Sequence, residues 1–117
     1  MDLFDVTQNA LTAAMRGATA RQGALADNLA NVDTPGYVRK DVDFHSALST
    51  ALGDGGDLAS MAFTPQADAA AVVRQDGNTV DVDAESSALA QNALEYEALA
   101  RVSATRIDIL KSAMGVS

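Results

Sequence analysis

Both ends of this chain are written in the same period, and that limits the possible folds more than any other feature. Near the N-terminus Leu11, Met15, Ala18, Gln22, Leu25, Leu29 and Val32 recur at intervals of four and three. Near the C-terminus Leu89, Ala93, Tyr96, Ala100, Ser103, Ile107, Leu110 and Met114 do the same. This spacing keeps a stripe of side chains on one face of an α-helix, the pattern of a heptad seam. The first helix is predicted over residues 3–30, capped by Asp2 with Asp5 in its first turn. About 28 residues of helix make a rod of roughly 42 Å. Gln22 interrupts its seam, and Gly17 and Gly23 each cost about 1 kcal/mol of propensity relative to alanine. The last helix is predicted to start at Asp83 as N-cap, with Glu85 in the first turn. It carries a second stripe, Leu99, Val102, Ile109 and Ala113, beside the first. One stripe can serve a helix of the same chain, and the second calls for a helix from outside.

The first helix has a definite stop. Proline forces the residue before it out of the helical region, so Thr34 must be extended. Pro35 fixes φ at the second position of a turn and Gly36 supplies positive φ at the third, which makes Thr34-Pro35-Gly36-Tyr37 a type II turn. Asn31 suits a left-handed helix C-cap, and Asp33 suits an Asx turn.

Between the stop and the last helix the signals are weaker. "YVRKDVDF" alternates, with Val38, Lys40, Val42 and Phe44 on one side, and reads as an extended arm. "HSALSTAL" allows one or two helical turns burying Leu48 and Leu52, and "GDGGD" at 53–57 reads as a flexible loop. Residues 58–69 give no clear pattern. "AVVRQDGNTVDVD" is predicted to form a short hairpin turning at Asp76-Gly77-Asn78. The organisation expected is therefore an N-terminal helix over 1–32, a turn, arm, loop and hairpin over 33–82, and a C-terminal helix over 83–117, the two ends forming one structural domain.

Composition removes several function classes. The 117 residues allow one domain at most, and with no Trp, 3 Phe and 2 Tyr the core must be thin and alanine-rich. The absence of Cys excludes disulfides and thiolate metal sites. The net charge of −8, concentrated in the middle of the chain, opposes nucleic-acid binding. No apolar run reaches the roughly 20 residues of a membrane span, so no direct membrane insertion is expected. "MDLFDVTQNA" lacks the basic start and apolar stretch of a cleaved signal, so any export is expected to use another route. His45 is the only histidine and reads as a surface residue. "DGNTVDVD" fails the calcium-loop pattern, because Gly77 comes second rather than sixth and no Glu stands twelfth. "GDGGD" lacks the Lys and Ser/Thr of a phosphate loop, and His45 would have to serve every candidate nucleophile. No enzyme, cofactor, metal site or catalytic residue is expected.

One stretch does point to a family. "NLANVDTPGY" resembles the segment that ends the N-terminal helix in the bacterial flagellar axial proteins, and "GYVRKDVDFHSAL" and "RQDGNTVDVDAESSALAQNALEYEALARV" extend the resemblance to the basal-body rod family, nearest its proximal-rod members. It covers residues 1–52 and 72–117, leaving roughly 53–71 as a variable insert. The resemblance implies a mainly α fold whose long N- and C-terminal helices pair as an antiparallel coiled coil, with an arm and short hairpin or loop region between. It implies a structural subunit exported unfolded through the flagellar type III apparatus and polymerised in the periplasm into the shaft that transmits torque and encloses the export channel. Partners implied are other copies, other rod subunits, and, at the base, the rod adaptor FliE and the MS ring. On this reading Leu11, Met15, Leu25, Leu29, Leu89, Tyr96, Leu99, Ile107 and Leu110 pack helices in assembly. Asn31, Thr34, Pro35, Gly36 and Tyr37 set the turn, and Val42 and Phe44 dock the arm on a neighbouring subunit. The alternatives are another rod- or hook-type subunit and a soluble helical adaptor or export chaperone.

Overall fold

The computed structural model describes residues 3–115, with side chains from residue 5 onward, so the expected cap Asp2 lies outside the described residues. The element order is α1 (Leu3–Ala30), β1 (Lys40–Asp41), α2 (Phe44–Asp54), a 3₁₀ turn (Leu58–Ser60), β2 (Gln66–Ala67) and α3 (Val82–Ala113). The chain is mainly helical, and its two long helices run antiparallel. Asn28 bonds Glu85, Ala18 and Gln22 accept from Asn92, and Gln8 bonds Ser103, so residue numbers rise along one helix as they fall along the other.

α1 occupies the range its periodicity predicts. α3 begins earlier than expected. Its N-cap is Asp81, whose carboxylate accepts from the backbone N–H of Asp83 and Ala84 at 3.0 and 3.2 Å. Val80, 1% exposed, anchors the extended backbone just before it. Asp83 then sits in the first turn, where a negative charge faces the positive end of the helix dipole.

α2 is longer than the sequence indicated. Asp43 caps it by accepting from Ser46 N–H at 3.2 Å. The helix continues into the segment read as a flexible loop, and Gly55, at φ +68°, ends it with a left-handed cap. Both Gly55 and Gly56 donate to the Ala51 carbonyl. Leu48 packs against the core, but Leu52, expected buried, is half exposed.

The expected hairpin over residues 71–83 does not form strands. The turn is there, with Gly77 at φ +82°, Gly77 N–H donating to Arg74 C=O and Arg74 N–H to Asn78 C=O. The flanking backbone bonds elsewhere, to the turn after α1: Gly36 N–H reaches Asp76 C=O, and Thr79 N–H reaches Tyr37 C=O. The two-stranded antiparallel pair is β1 with β2, Lys40 opposite Ala67 and Asp41 opposite Gln66.

The core lies at one end of the helix pair. Ala14, Ala18 and Ala24 of α1 form a small-residue floor on which Val42 and Phe44 sit, with Leu48, Phe63 and Leu99 packed around them. Gly17 makes this possible, since a Cβ there would stand 2.5 Å from the Cβ of Phe44. Its cost in helix propensity is offset by burial of a phenylalanine, worth about 2–3 kcal/mol. Val42 and Phe44, expected to lie against a neighbouring subunit, are thus buried against α1 of their own chain. The arm does not swing outward. It folds back beside the helix it follows.

The molecule measures 62 × 30 × 15 Å with a radius of gyration of 17.5 Å. A compact chain of this length would have about 13 Å. Its accessible surface of 7247 Å² compares with about 6,000 Å² for a folded monomer of this mass.

Candidate functional site

The turn after α1 is built from three segments. Tyr37 N–H donates to Thr34 C=O at 3.2 Å with Gly36 at φ +76°, as a type II turn requires. Asn31 is not left-handed, since among the described residues only glycines have positive φ. Its own amide instead donates back to Asp27 C=O at 2.8 Å, and its oxygen accepts from the Thr34 hydroxyl at 3.1 Å.

The carbonyls that a helix end leaves without partners are collected from far along the sequence. The Asn78 amide reaches the carbonyls of Asn31, Val32 and Thr34 at 2.9, 3.1 and 2.7 Å, and Arg74 reaches Val32 C=O at 2.5 Å. Asn78 is fully buried, and its oxygen accepts from Val80 N–H at 2.7 Å. Gly77 lies against Gly36, where an added Cβ would meet the Gly36 Cα at 3.3 Å. Asp76 accepts from Asn78 N–H, and that bond holds its carboxyl below the usual range. The motif Thr34-Pro35-Gly36-Tyr37 is therefore a socket for residues 74–80.

A buried polar cluster joins the same region to α3. Glu85, 1% exposed, takes Arg39 Nε at 2.5 Å and Asn28 Nδ2 at 3.2 Å. Arg39 also reaches Asp68 at 2.5 Å, and Arg21 pairs with Asp41 at 2.8 Å. The hydrogen bond to Glu85 raises the Arg39 pKa further above its already high ordinary value, outweighing burial. At Asp41 burial favours the neutral form. The hydrogen bonds from Arg21 and from Val42 N–H, with the charges of Arg21 and Arg39, overcome it and hold the carboxyl low. Asn28 also serves as a strand partner for β1, donating to Lys40 C=O at 2.7 Å and accepting from Lys40 N–H at 2.9 Å.

Every charge in this cluster is engaged by an opposite one, so the cluster braces α1, the β1–β2 pair and α3 against one another. Among the described residues no group of three or more His, Cys, Asp or Glu side chains could hold a metal ion. His45 is exposed on α2 and contacts Glu95 of α3.

The helix contact differs from the sequence reading. Leu25 is fully buried, while Leu11, Met15, Leu29, Leu89 and Leu99 are half-buried. Tyr96, Ile107 and Leu110 are exposed. The residues of α3 turned most fully inward are Glu85 and Asn92, with Leu99 half-buried one heptad further on. Asn92 donates to Ala18 C=O at 2.7 Å and to Gln22 Oε1 at 2.8 Å. The seam is thus rotated toward polar positions, and Gln22, read as an interruption, is a member of it. Large apolar side chains of α3 are left facing outward, with Leu94 67%, Val102 50% and Ile109 62% exposed. Sequence reasoning gives Asn28, Arg39 and Asn92 no role, and reads Asn78 only as a turn residue and Glu85 only as a first-turn acid. Only the seven-residue spacing of Glu85, Asn92 and Leu99 offered a signal for part of that set.

The family described as flagella basal body rod protein matches this chain over residues 5–37, that is, α1 and the turn that ends it. Similar proteins cover much more. The flagellar basal body rod protein FlgB of Escherichia coli (strain K12) is 34% identical over 116 residues, covering 83% of this chain and 84% of that protein. That of Bacillus subtilis (strain 168) is 32% identical over 125 residues, covering 97% of each. That of Aeromonas hydrophila is 36% identical over 107 residues, covering 80% and 78%.

Proposed function

The chain belongs to the FlgB family of flagellar basal body rod proteins, and from that premise we propose how it works as a structural subunit of the proximal rod. Its terminal helices pair as an antiparallel coiled coil and polymerise with those of neighbouring subunits. The polymer is a length of drive shaft around the export channel. The carrying observation is the set of large apolar side chains that α3 leaves in water, led by Leu94, Val102 and Ile109. A folded subunit with such a face is finished by neighbours. The chain reaches its place by the type III route, and meets FliE and the MS ring at the base. Other rod subunits lie above. The capped turn gives α1 a fixed end, so that subunits stack at a constant height.

The test is complementation. In cells lacking their own proximal rod subunit, this chain should restore swimming and be recovered in purified basal bodies. Gly36→Val should abolish both while the subunit is still detected as an exported protein. A β-branched residue at φ +76° costs about 1–2 kcal/mol locally and unseats the socket. Normal swimming of the Gly36→Val strain would remove the turn from the assembly role. Basal bodies that form without any copy of this chain would overturn the function.

A further inference from the structure

We propose that successive copies of this chain dock head to tail, with an uncharged outer stripe of α3 in one copy seated in the groove between α1 and α3 of the next. This rests on the structural-subunit reading above and assigns the two surfaces that meet.

The stripe runs from Ala84 to Ser112 at intervals of three and four, through Leu94, Ala98, Val102, Thr105 and Ile109. All of these are exposed, and none of the charged residues of α3 falls among them. The groove is on the opposite side of α3. It consists of two adjoining hollows of about 330 and 270 Å³ that share Thr19 and Tyr96. Their walls are Met15, Gln22 and Ala93 among others, and the one charged lining residue, Arg16, is committed to the carbonyls of Leu58 and Met61. At 3.6 residues per turn, Ala93 and Tyr96 point about half a turn away from the centre of the stripe.

Two observations favour a second copy as the occupant. A chain of net charge −8 repels its own copies, so a contact between them is cheapest where neither surface carries charge. The chain exposes about 1,200 Å² more than a folded monomer of its mass, set against about 800 Å² per partner for a standard interface. Two contacts per copy, one through the stripe and one through the groove, are of that order. Because the two surfaces are unlike and lie on opposite sides, the contact is heterologous and repeats without closing into a two-fold pair.

The chain has no cysteine, so introduced thiols report cleanly. Chains carrying Thr19→Cys in the groove are co-expressed with chains carrying Leu94→Cys, Val102→Cys or Ile109→Cys on the stripe, in cells lacking the native subunit. After oxidation, basal bodies are purified and their disulfides mapped. The expected result is a bridge between a groove chain and a stripe chain, and a ladder of multimers when one chain carries both. Bridges formed by stripe chains alone, by the groove chain alone, or to a different rod protein would overturn the inference. So would basal bodies that contain the chain unbridged. Basal bodies lacking the chain would overturn the structural-subunit reading itself, a separate result.

Discussion

Single residues here are read wrongly if judged by propensity. Gly17 looks like a defect in α1, yet its missing Cβ is the space that Phe44 fills. Gly17→Ala should therefore destabilise the chain by about 1–3 kcal/mol, against the gain of about 1 kcal/mol that propensity alone gives. Urea unfolding measures the sign, and a stabilised variant would mean that Phe44 can shift at no cost. Acid sensitivity is also set by single residues. The carboxyl of Asp41 titrates below its ordinary range in the folded chain, as those of Asp43 and Asp76 do. Between the folded and unfolded values the unfolded chain binds more protons, so stability rises with pH there. The contribution is complete above about pH 4 and is lost as pH falls through the lower, folded values. The urea midpoint should be flat from about pH 7 to 5 and fall below about pH 4, with a shallower fall in Asp41→Asn. A midpoint as high at about pH 3 as at neutrality would exclude these carboxylates as the acid-labile brace.

At the scale of elements, what was legible is what local chemistry decides. The range of α1, the type II turn and the Gly77 turn follow from period, proline and glycine, and neighbours did not override them. The strands, the α3 cap and the destination of the arm were not legible, because distant partners decide them. "AVVRQDGNTV" has the composition of a hairpin, but its backbone is spent on closing α1 through Asn78, Asp76 and Thr79. The contact between α1 and α3 was legible only in part for a related reason: the apolar pattern points to Leu25, Leu89 and Leu99, while the buried polar residues Glu85 and Asn92 share that contact. The link between the 74–80 loop and α1 is testable. Asn78→Ala removes a buried donor from three carbonyls and should cost about 1–3 kcal/mol. Asn78→Asp turns a negative oxygen toward those carbonyls and should cost more. In both variants the amides of residues 31–37 should exchange with solvent faster than in the parent. Unchanged exchange there would show that α1 ends without help from the loop.

On the scale of the whole molecule, the arrangement is lopsided. The buried residues gather where the turn, the arm, α2 and the start of α3 meet, while from residue 101 to 113 every position of α3 is exposed except half-buried Ser103 and Arg106. A slender helix pair braced at one end hides little apolar surface per residue, and its outer stripe and groove remain wet. Two forces then act on the free subunit in solution. Burial of the uncharged faces favours association, and a net charge of −8 opposes it. Salt separates them, because the screening length falls from about 30 Å at 0.01 M to about 8 Å at 0.15 M. Those lengths span the 15 and 30 Å shorter dimensions of the molecule, so repulsion between adjacent copies is felt at the low concentration and largely screened at the higher. Sedimentation velocity on the purified chain should show mainly monomer at low salt and larger, concentration-dependent species at the higher salt. Helicity by circular dichroism should rise in step, because the sparsely buried end of the helix pair is ordered by its neighbours. Replacing Val102 or Ile109 with glutamate adds charge to the stripe and should keep the chain monomeric at both salts with its fold intact. Association that weakens as salt is added would mean that ion pairs join the copies, and the uncharged faces of α3 would lose their part in assembly.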